Sequence, residues 1–239
     1  MELKFKIARF HPDHDQAPHW QEYQLTCQPG DRLLDCLNRI KWEQDGTLSF
    51  RLSCAHGVCG SCAMQLNGRA ALACQTLAGQ FAAEGEVTVE PLPHFRLLKD
   101  LVVDLEPFFT LVREIRPFLV NHDAPPEDER HQSPEEHQKL AQVISCILCG
   151  CCSGACPALD EDPDYIGPAP LVQAFRRIMD SRDQDQAARL AQLDRPTGAW
   201  GCKNYFECTR VCPKKIPVTK CINQMKREIE QQGGGPAEK

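Results

Sequence analysis

Residues Cys146 to Pro157 read CILCGCCSGACP, and residues Cys202 to Pro213 read CKNYFECTRVCP. The first run sets Cys146, Cys149, Cys152 and Cys156 in the frame C-x2-C-x2-C-x3-C-P. In that frame the first three thiolates hold one iron–sulfur cluster and the fourth reaches a second cluster, so a partner run is required. The second run supplies it with one change: Cys202, Cys208 and Cys212 stand at the first, third and fourth places, and Tyr205 stands at the second. Crossing the ligands gives one full site, Cys146, Cys149, Cys152 and Cys212, suited to a 4Fe-4S cluster. The other has only Cys156, Cys202 and Cys208. Three thiolates describe a cube lacking one iron, and 3Fe-4S is expected there. A Tyr205 phenolate is the alternative fourth ligand, but an ordinary phenol pKa of about 10 favours a packing role.

Upstream, Arg51 to Cys62 reads RLSCAHGVCGSC. Cys54, Cys59 and Cys62 give C-x4-C-x2-C, and Cys74 is available as a fourth ligand, which is the plant-type 2Fe-2S spacing. Thiolates suit the soft iron–sulfide core. Gly57 and Gly60 let the loop fold tightly and bring backbone N–H groups to the sulfurs, where such bonds raise the reduction potential. Zinc on Cys59-x2-Cys62 with two outlying thiols is the competing use. His56 forms a C-x-H with Cys54, yet the matching C-x2-H of a Rieske site is missing, so His56 reads as a loop residue. Cys27, at a strand end, and Cys36, on the apolar side of a helix, read as small buried hydrophobes, and Cys151 and Cys221 are likewise not needed for ligation.

Fifteen cysteines in 239 residues cannot close into intramolecular pairs without a remainder. The opening MELKFKIARFHPDHD is charged almost from the start, not a basic stub followed by roughly 7 to 15 apolar residues, so a secreted disulfide scaffold is not expected. A hydrophobic fraction of 42% with 25% charged residues excludes a wholly disordered chain. No run approaches the roughly 18 apolar residues of a membrane span, so a membrane role needs a partner. The net charge of −6 offers no broad basic face, and nucleic acid is not an expected partner. Lys203, Arg210, Lys214, Lys215 and Lys220 read as a solvated face that also offsets the negative charge of thiolate-bound clusters.

The cysteine territories divide the chain into two expected domains, 1–105 and 106–239, of α+β class: an N-terminal plant-type ferredoxin domain of β-grasp type, then an α-helical bacterial-type ferredoxin domain. KFKIARF, EYQLTC and VTVEPL alternate as strands. DRLLDCLNRIKWEQDG reads as a helix capped by Asp31 and closed by Gly46. Between Phe95 and Val112, Leu97, Leu98, Leu101, Val102 and Leu105 recur at i, i+1, i+4, i+5 and i+8 as the stripe of an amphipathic helix that Pro107 kinks or ends. NHDAPPEDERHQSPEEHQK, rich in proline and acid, reads as a surface linker. EEHQKLAQVISCILC, APLVQAFRRIMDSRD, QDQAARLAQL and KCINQMKREIE read as helices, and QQGGGPAEK as a frayed tail.

No nucleophile–base pair, nucleotide loop or flavin motif accompanies the clusters, which points to an electron conduit. The order of the three cysteine motifs, together with LKDLVVDLEPFF, YIGPA and the SRD turn, resembles the iron–sulfur subunit of succinate dehydrogenase and fumarate reductase from Lys4 to about Glu230. That resemblance implies an electron-transfer subunit with no complete active site of its own. It implies a FAD-bearing dicarboxylate subunit on one side and a membrane anchor with quinone, and in some members haem b, on the other. Electrons would pass through the 2Fe-2S, 4Fe-4S and 3Fe-4S clusters in that order. Ubiquinone-reducing members carry a tryptophan pair shortly after the Cys-Pro, whereas Pro157 is followed here by Ala158, Leu159, Asp160 and Glu161. Fumarate-reductase-like members carry a basic residue where Lys226 falls. A menaquinone-type site with Lys203, Tyr205 and Lys226 is therefore expected, at the cytoplasmic face of a bacterial or archaeal membrane. The iron–sulfur partner of a thiol-linked fumarate reductase or a glycolate-type oxidase is the alternative within redox biology. An iron–sulfur regulator or zinc module is the alternative outside it.

Overall fold

The computed structural model describes residues Met1 to Pro236. Its strands are β1 (Glu2–Arg9), β2 (His19–Thr26), β3 (Ala63–Leu66), β4 (Arg69–Leu72), β5 (Glu86–Glu90), β6 (Leu97–Lys99) and β7 (Val102–Val103). Its longer helices are α1 (Leu33–Glu43), α2 (Glu106–Glu114), α3 (Pro134–Leu140), α6 (Pro168–Ile178), α7 (Gln186–Leu193) and α9 (Val218–Gln231), and single turns form α4 (Cys151–Gly154), α5 (Ala158–Glu161) and α8 (Glu207–Arg210). Two units emerge: Met1–Leu105 with Ile147–Ala155, and Glu106–Cys146 with Cys156 onward.

In the first unit, five strands lie in the order β2-β1-β5-β3-β4. β1 runs antiparallel to β2 and parallel to β5, with Phe5 opposite Val87 and Ile7 opposite Val89. Period-2 alternation puts Leu3, Phe5, Ile7, Val87, Val89, Met64 and Leu66 inside. The apolar side of α1 buries Leu33, Leu34, Cys36, Leu37 and Ile40. Each Leu or Ile among them contributes about 1.5–3 kcal/mol on burial. Cys27 is buried too, in agreement with its reading as a small hydrophobe.

Arg9 ties this unit together. Its guanidinium donates to Asp100 Oδ1 at 3.0 Å, Asp45 Oδ2 at 2.5 Å, the Tyr23 hydroxyl at 2.5 Å, Gln21 Oε1 at 2.7 Å and Thr47 Oγ1 at 2.8 Å. Asp100 is buried and also accepts from the backbone N–H groups of Phe10 and Ser49.

That network overturns the helix expected from Leu97 to Leu105. β6 and β7 form an antiparallel pair there, with Asp100 in the left-handed region at φ +48° between them. Of the stripe residues only Leu101 is buried, beside Val103, around the turn that the Asp100 carboxylate locks. The helix begins only at Glu106, so Pro107 lies in the first turn of α2, where its missing N–H breaks no helical bond. Asp31 does not cap α1 either. Arg32 holds the N-cap position without a side-chain bond, and the Asp31 carboxylate accepts from Gln28 N of the preceding turn at 2.8 Å. α1 stops at Glu43, short of Gly46, because the next residues turn to place Asp45 in the Arg9 network.

In the second unit, α6 packs mainly on α9, with α7 and α2 beside it. Arg189 and Asp183 are fully buried and paired at 2.9 Å, and the guanidinium also donates to the carbonyls of Ile115, Arg116 and Phe118. This is the role of the SRD turn. Of the expected linker, residues 121–133 have no helix or strand and are mostly exposed, but its end from Pro134 forms α3, the whole segment belongs to the second unit, and Asn121 and His122 are bonded to Arg182 O and Gln184 Oε1. The continuous helix expected over EEHQKLAQVISCILC is cut short. α3 opens on a Ser133–Glu136 capping box and ends at Leu140, a 3-10 turn covers Val143–Ser145, and Leu148, left-handed at φ +51°, cannot continue a right-handed helix. Within the expected frayed tail, Gly233 and Gly234 donate back to Glu230 O and Ile229 O, and residues 237–239 lie outside the described ones.

Candidate iron–sulfur sites

The loop after α1 carries Cys54, Cys59 and Cys62, and Cys74 follows β4 and lies beside Cys62. Cys54 Sγ accepts from the backbone N–H groups of His56, Val58 and Cys59, each at 3.4 Å. Those three donors, His56 first, pull its thiol down to about 6. Cys59 Sγ lies 3.1 Å from Ser61 Oγ, and that hydroxyl lowers the thiol as well. Cys62 is pushed up to about 12 by burial, with Cys74 and Cys59 close enough to add repulsion. Two thiols thus face solvent with N–H donors, and two lie in the apolar interior. Arg32 Nη1 pins the loop through Ala55 O at 2.6 Å, and Gln75 Nε2 bonds Cys74 O at 3.0 Å while its side chain covers Gly57. His56 is exposed and bonds through Nδ1 to Cys54 O, the loop role expected of it.

Cys149 and Cys152 belong to the Ile147–Ala155 segment of the first unit, and Cys146 and Cys212 to the second. Gly150, at φ +81°, starts α4, whose Cys151 is fully buried. Cys212 Sγ accepts from Ile216 N at 3.4 Å.

Cys156, Cys202 and Cys208 line one cleft in the second unit, enclosing roughly 290 Å3 of space partly open to solvent, together with Lys203, Asn204, Tyr205 and Phe206. Burial pushes Cys156 up to about 11, and the neighbouring Cys208 and Cys202 add to it. Cys208 is raised by burial, against a bond with Thr219 Oγ1 at 3.4 Å. Tyr205 is 42% exposed, and its hydroxyl donates to the Glu161 carboxylate. That bond raises the phenol's pKa and keeps it protonated, which disfavours a phenolate ligand. Lys203 and Tyr205 border the cleft. Lys226 does not: its Nζ, half-buried, donates to Cys202 O at 2.8 Å and sits 5.5 Å from the Trp200 ring centre. Among the described residues no group of three or more His, Cys, Asp or Glu side chains is set to hold a single metal ion. The all-thiol donor sets suit the soft core of an iron–sulfur cluster. The spacing motifs did not mark Ser61, Gln75, Thr219 or Arg32, since their bonds to the ligand loops depend on how the chain folds back.

Residues 4–110 match a family model described as a 2Fe-2S iron–sulfur cluster binding domain, and residues 142–216 match one described as a 4Fe-4S dicluster domain. The chain is 39% identical over 233 residues to a succinate dehydrogenase iron–sulfur subunit of Coxiella burnetii, covering 96% of this chain and 98% of that protein. The chain belongs to the family of succinate dehydrogenase iron–sulfur subunits. A mitochondrial succinate dehydrogenase [ubiquinone] iron–sulfur subunit of Candida glabrata is 41% identical over 94% of this chain and 90% of its own. A chain in the structure of the Mycobacterium smegmatis Sdh1 complex in the apo form superposes with a TM-score of 0.84 at 26% identity, covering 97% of this chain and 96% of that one. As a member of this family the chain is a 2Fe-2S and 4Fe-4S electron-transfer subunit of an oxidoreductase, with a β-sheet 2Fe-2S domain ahead of a helical dicluster domain. No helix among the described residues is long and apolar enough to cross a membrane.

Proposed function

We propose that this subunit carries electrons between the FAD of a dicarboxylate flavoprotein subunit and a menaquinone-type quinone at a membrane anchor. Cys54, Cys59, Cys62 and Cys74 hold 2Fe-2S. Cys146, Cys149, Cys152 and Cys212 hold 4Fe-4S, and Cys156, Cys202 and Cys208 hold 3Fe-4S. The clusters supply one-electron centres between a two-electron donor and acceptor. The chain's own residues set their surroundings: N–H donors at Cys54, an apolar interior at Cys62, and a cleft at Cys156. Lys203 and Tyr205 border that cleft as quinone-side groups, and Lys226 acts through the Cys202 carbonyl. The anchor keeps the subunit peripheral on the cytoplasmic face of a bacterial or archaeal membrane.

The observation that carries this reading is the convergence of Cys156, Cys202 and Cys208 on one cleft, with a hydrogen-bonded tyrosine where a fourth thiol would stand. Electron paramagnetic resonance of the purified complex tests it. An oxidised 3Fe-4S signal and a reduced 2Fe-2S signal are expected, and an oxidised sample silent in the former overturns the assignment.

A further inference from the structure

Gly60, between the ligand Cys59 and Ser61, is buried and sits at φ +74°. A Cβ built on it would lie 2.7 Å from Cys149 Cβ, 2.8 Å from Cys149 Cα and 3.3 Å from Cys149 N. Both residues belong to the first unit, because Ile147–Ala155 folds with it. The backbone of the 54–62 loop therefore rests directly on the backbone of Cys149, with no side chain between. The same segment is held from a second direction. Gly150 lies under Phe95, whose Cζ would be 3.1 Å from an added Cβ, and Gly154 lies under Leu92 at 3.1 Å.

We propose that Gly60 is a positioning residue for electron transfer: its missing side chain lets the loop of the first cluster touch a ligand of the second, giving electrons a packed path from Cys59 through Gly60 to Cys149. This deepens the function proposed above and rests on its assignment of Cys59 and Cys149 to different clusters. Electronic coupling falls steeply with separation and is weaker across a gap than through packed atoms. A methyl group at Gly60 must push the two backbones apart by about 0.7 Å, from 2.7 Å to the 3.4 Å at which ordinary contact begins. The obstacle is backbone and Cβ, not the end of a flexible chain, so it cannot swing aside. Close-packed interiors pass such a displacement on to their neighbours.

The test uses the assembled complex and the microwave-power saturation of the reduced 2Fe-2S signal. A reduced second cluster nearby speeds the relaxation of the first through a dipolar interaction that weakens steeply with distance. Gly60→Ala is expected to retain both clusters while losing part of this enhancement, seen as a lower half-saturation power when the second cluster is reduced. Transfer from the first to the second cluster is slowed in parallel. Gly68→Ala is the control: Gly68 has the same φ of +74° but nothing within 4 Å of an added Cβ, so it imposes the backbone strain without the contact, and its enhancement should equal the parent's. Should Gly60→Ala fail to assemble, Phe95→Ala loosens the 147–155 segment from its other side and is expected to lower the enhancement to a smaller degree. Enhancement unchanged in Gly60→Ala, or in Phe95→Ala where that variant stands in, overturns the proposal. A parent complex that contains both clusters but shows no enhancement at all overturns the ligand assignment instead.

Discussion

Tyr205 occupies the second ligand place of its run, and its side chain is turned to Glu161. A hydroxyl held as a donor to a carboxylate resists deprotonation, so the phenol stays neutral where a thiol would bind iron. Tyr205→Cys is expected to admit a fourth iron, abolishing the oxidised 3Fe-4S resonance and lowering the potential of the centre. An oxidised 3Fe-4S signal persisting at full intensity in that variant refutes the argument. The eleven thiols proposed as ligands stand out in the sequence because cluster geometry restricts spacing to a few patterns. The donors that tune them do not. Three backbone N–H groups converge on Cys54, and Thr219 reaches Cys208 across eleven positions, through the folding of the backbone rather than through residue type.

Among elements, the strands β1, β2 and β5 and the apolar stripes of α1, α6, α7 and α9 were readable because each has one buried face with a fixed period, whereas β3 and β4, four residues each, are too short to show one. The stretch 97–105 was not readable either, because a buried carboxylate outweighs its apolar spacing. Its turn is shaped by Asp100 and Arg9, ninety-one positions apart in sequence. The same network gives the first unit a pH dependence. Burial pushes the Asp45 carboxyl up, but bonds from Thr47, Tyr23 and Arg9 outweigh this and hold it well below the usual carboxylate range. With the folded value lowered, the stabilisation is complete above the ordinary carboxylate pKa of about 4 and is lost as the pH falls below it. Asp45→Asn should melt earlier than the parent at neutral pH, by the equivalent of about 1–3 kcal/mol. Its further loss between pH ~5 and ~3 should be smaller, as followed by circular dichroism. Equal acid sensitivity of the two proteins rules out Asp45 as the source.

At the scale of the whole molecule, each unit combines an apolar core with ligand loops, 51–62 in one and 202–212 in the other, that have little regular structure of their own. Such loops gain their order from what they bind, so cluster loss is a stability event as well as a redox one. Cys59→Ser is expected to remove the 2Fe-2S signal and lower the melting temperature by about 2–4 °C per kcal/mol of lost stability. A variant without that signal but with an unchanged melting temperature would show that the fold does not lean on the cluster. By itself the sequence determined the presence of 2Fe-2S and 4Fe-4S motifs, the succession of a β-sheet domain and a helical one, and the family. All of these follow from local spacing and periodicity, which a linear text carries. Only the tertiary structure decided that Ile147–Ala155 folds with the first unit and that Gly60 meets Cys149. It also decided that Lys226 serves the Cys202 carbonyl and that Asp100 replaces a helix with a turn. These depend on contacts between residues far apart in the chain, set by close packing and by the need of buried polar groups for partners, and no period or spacing encodes them.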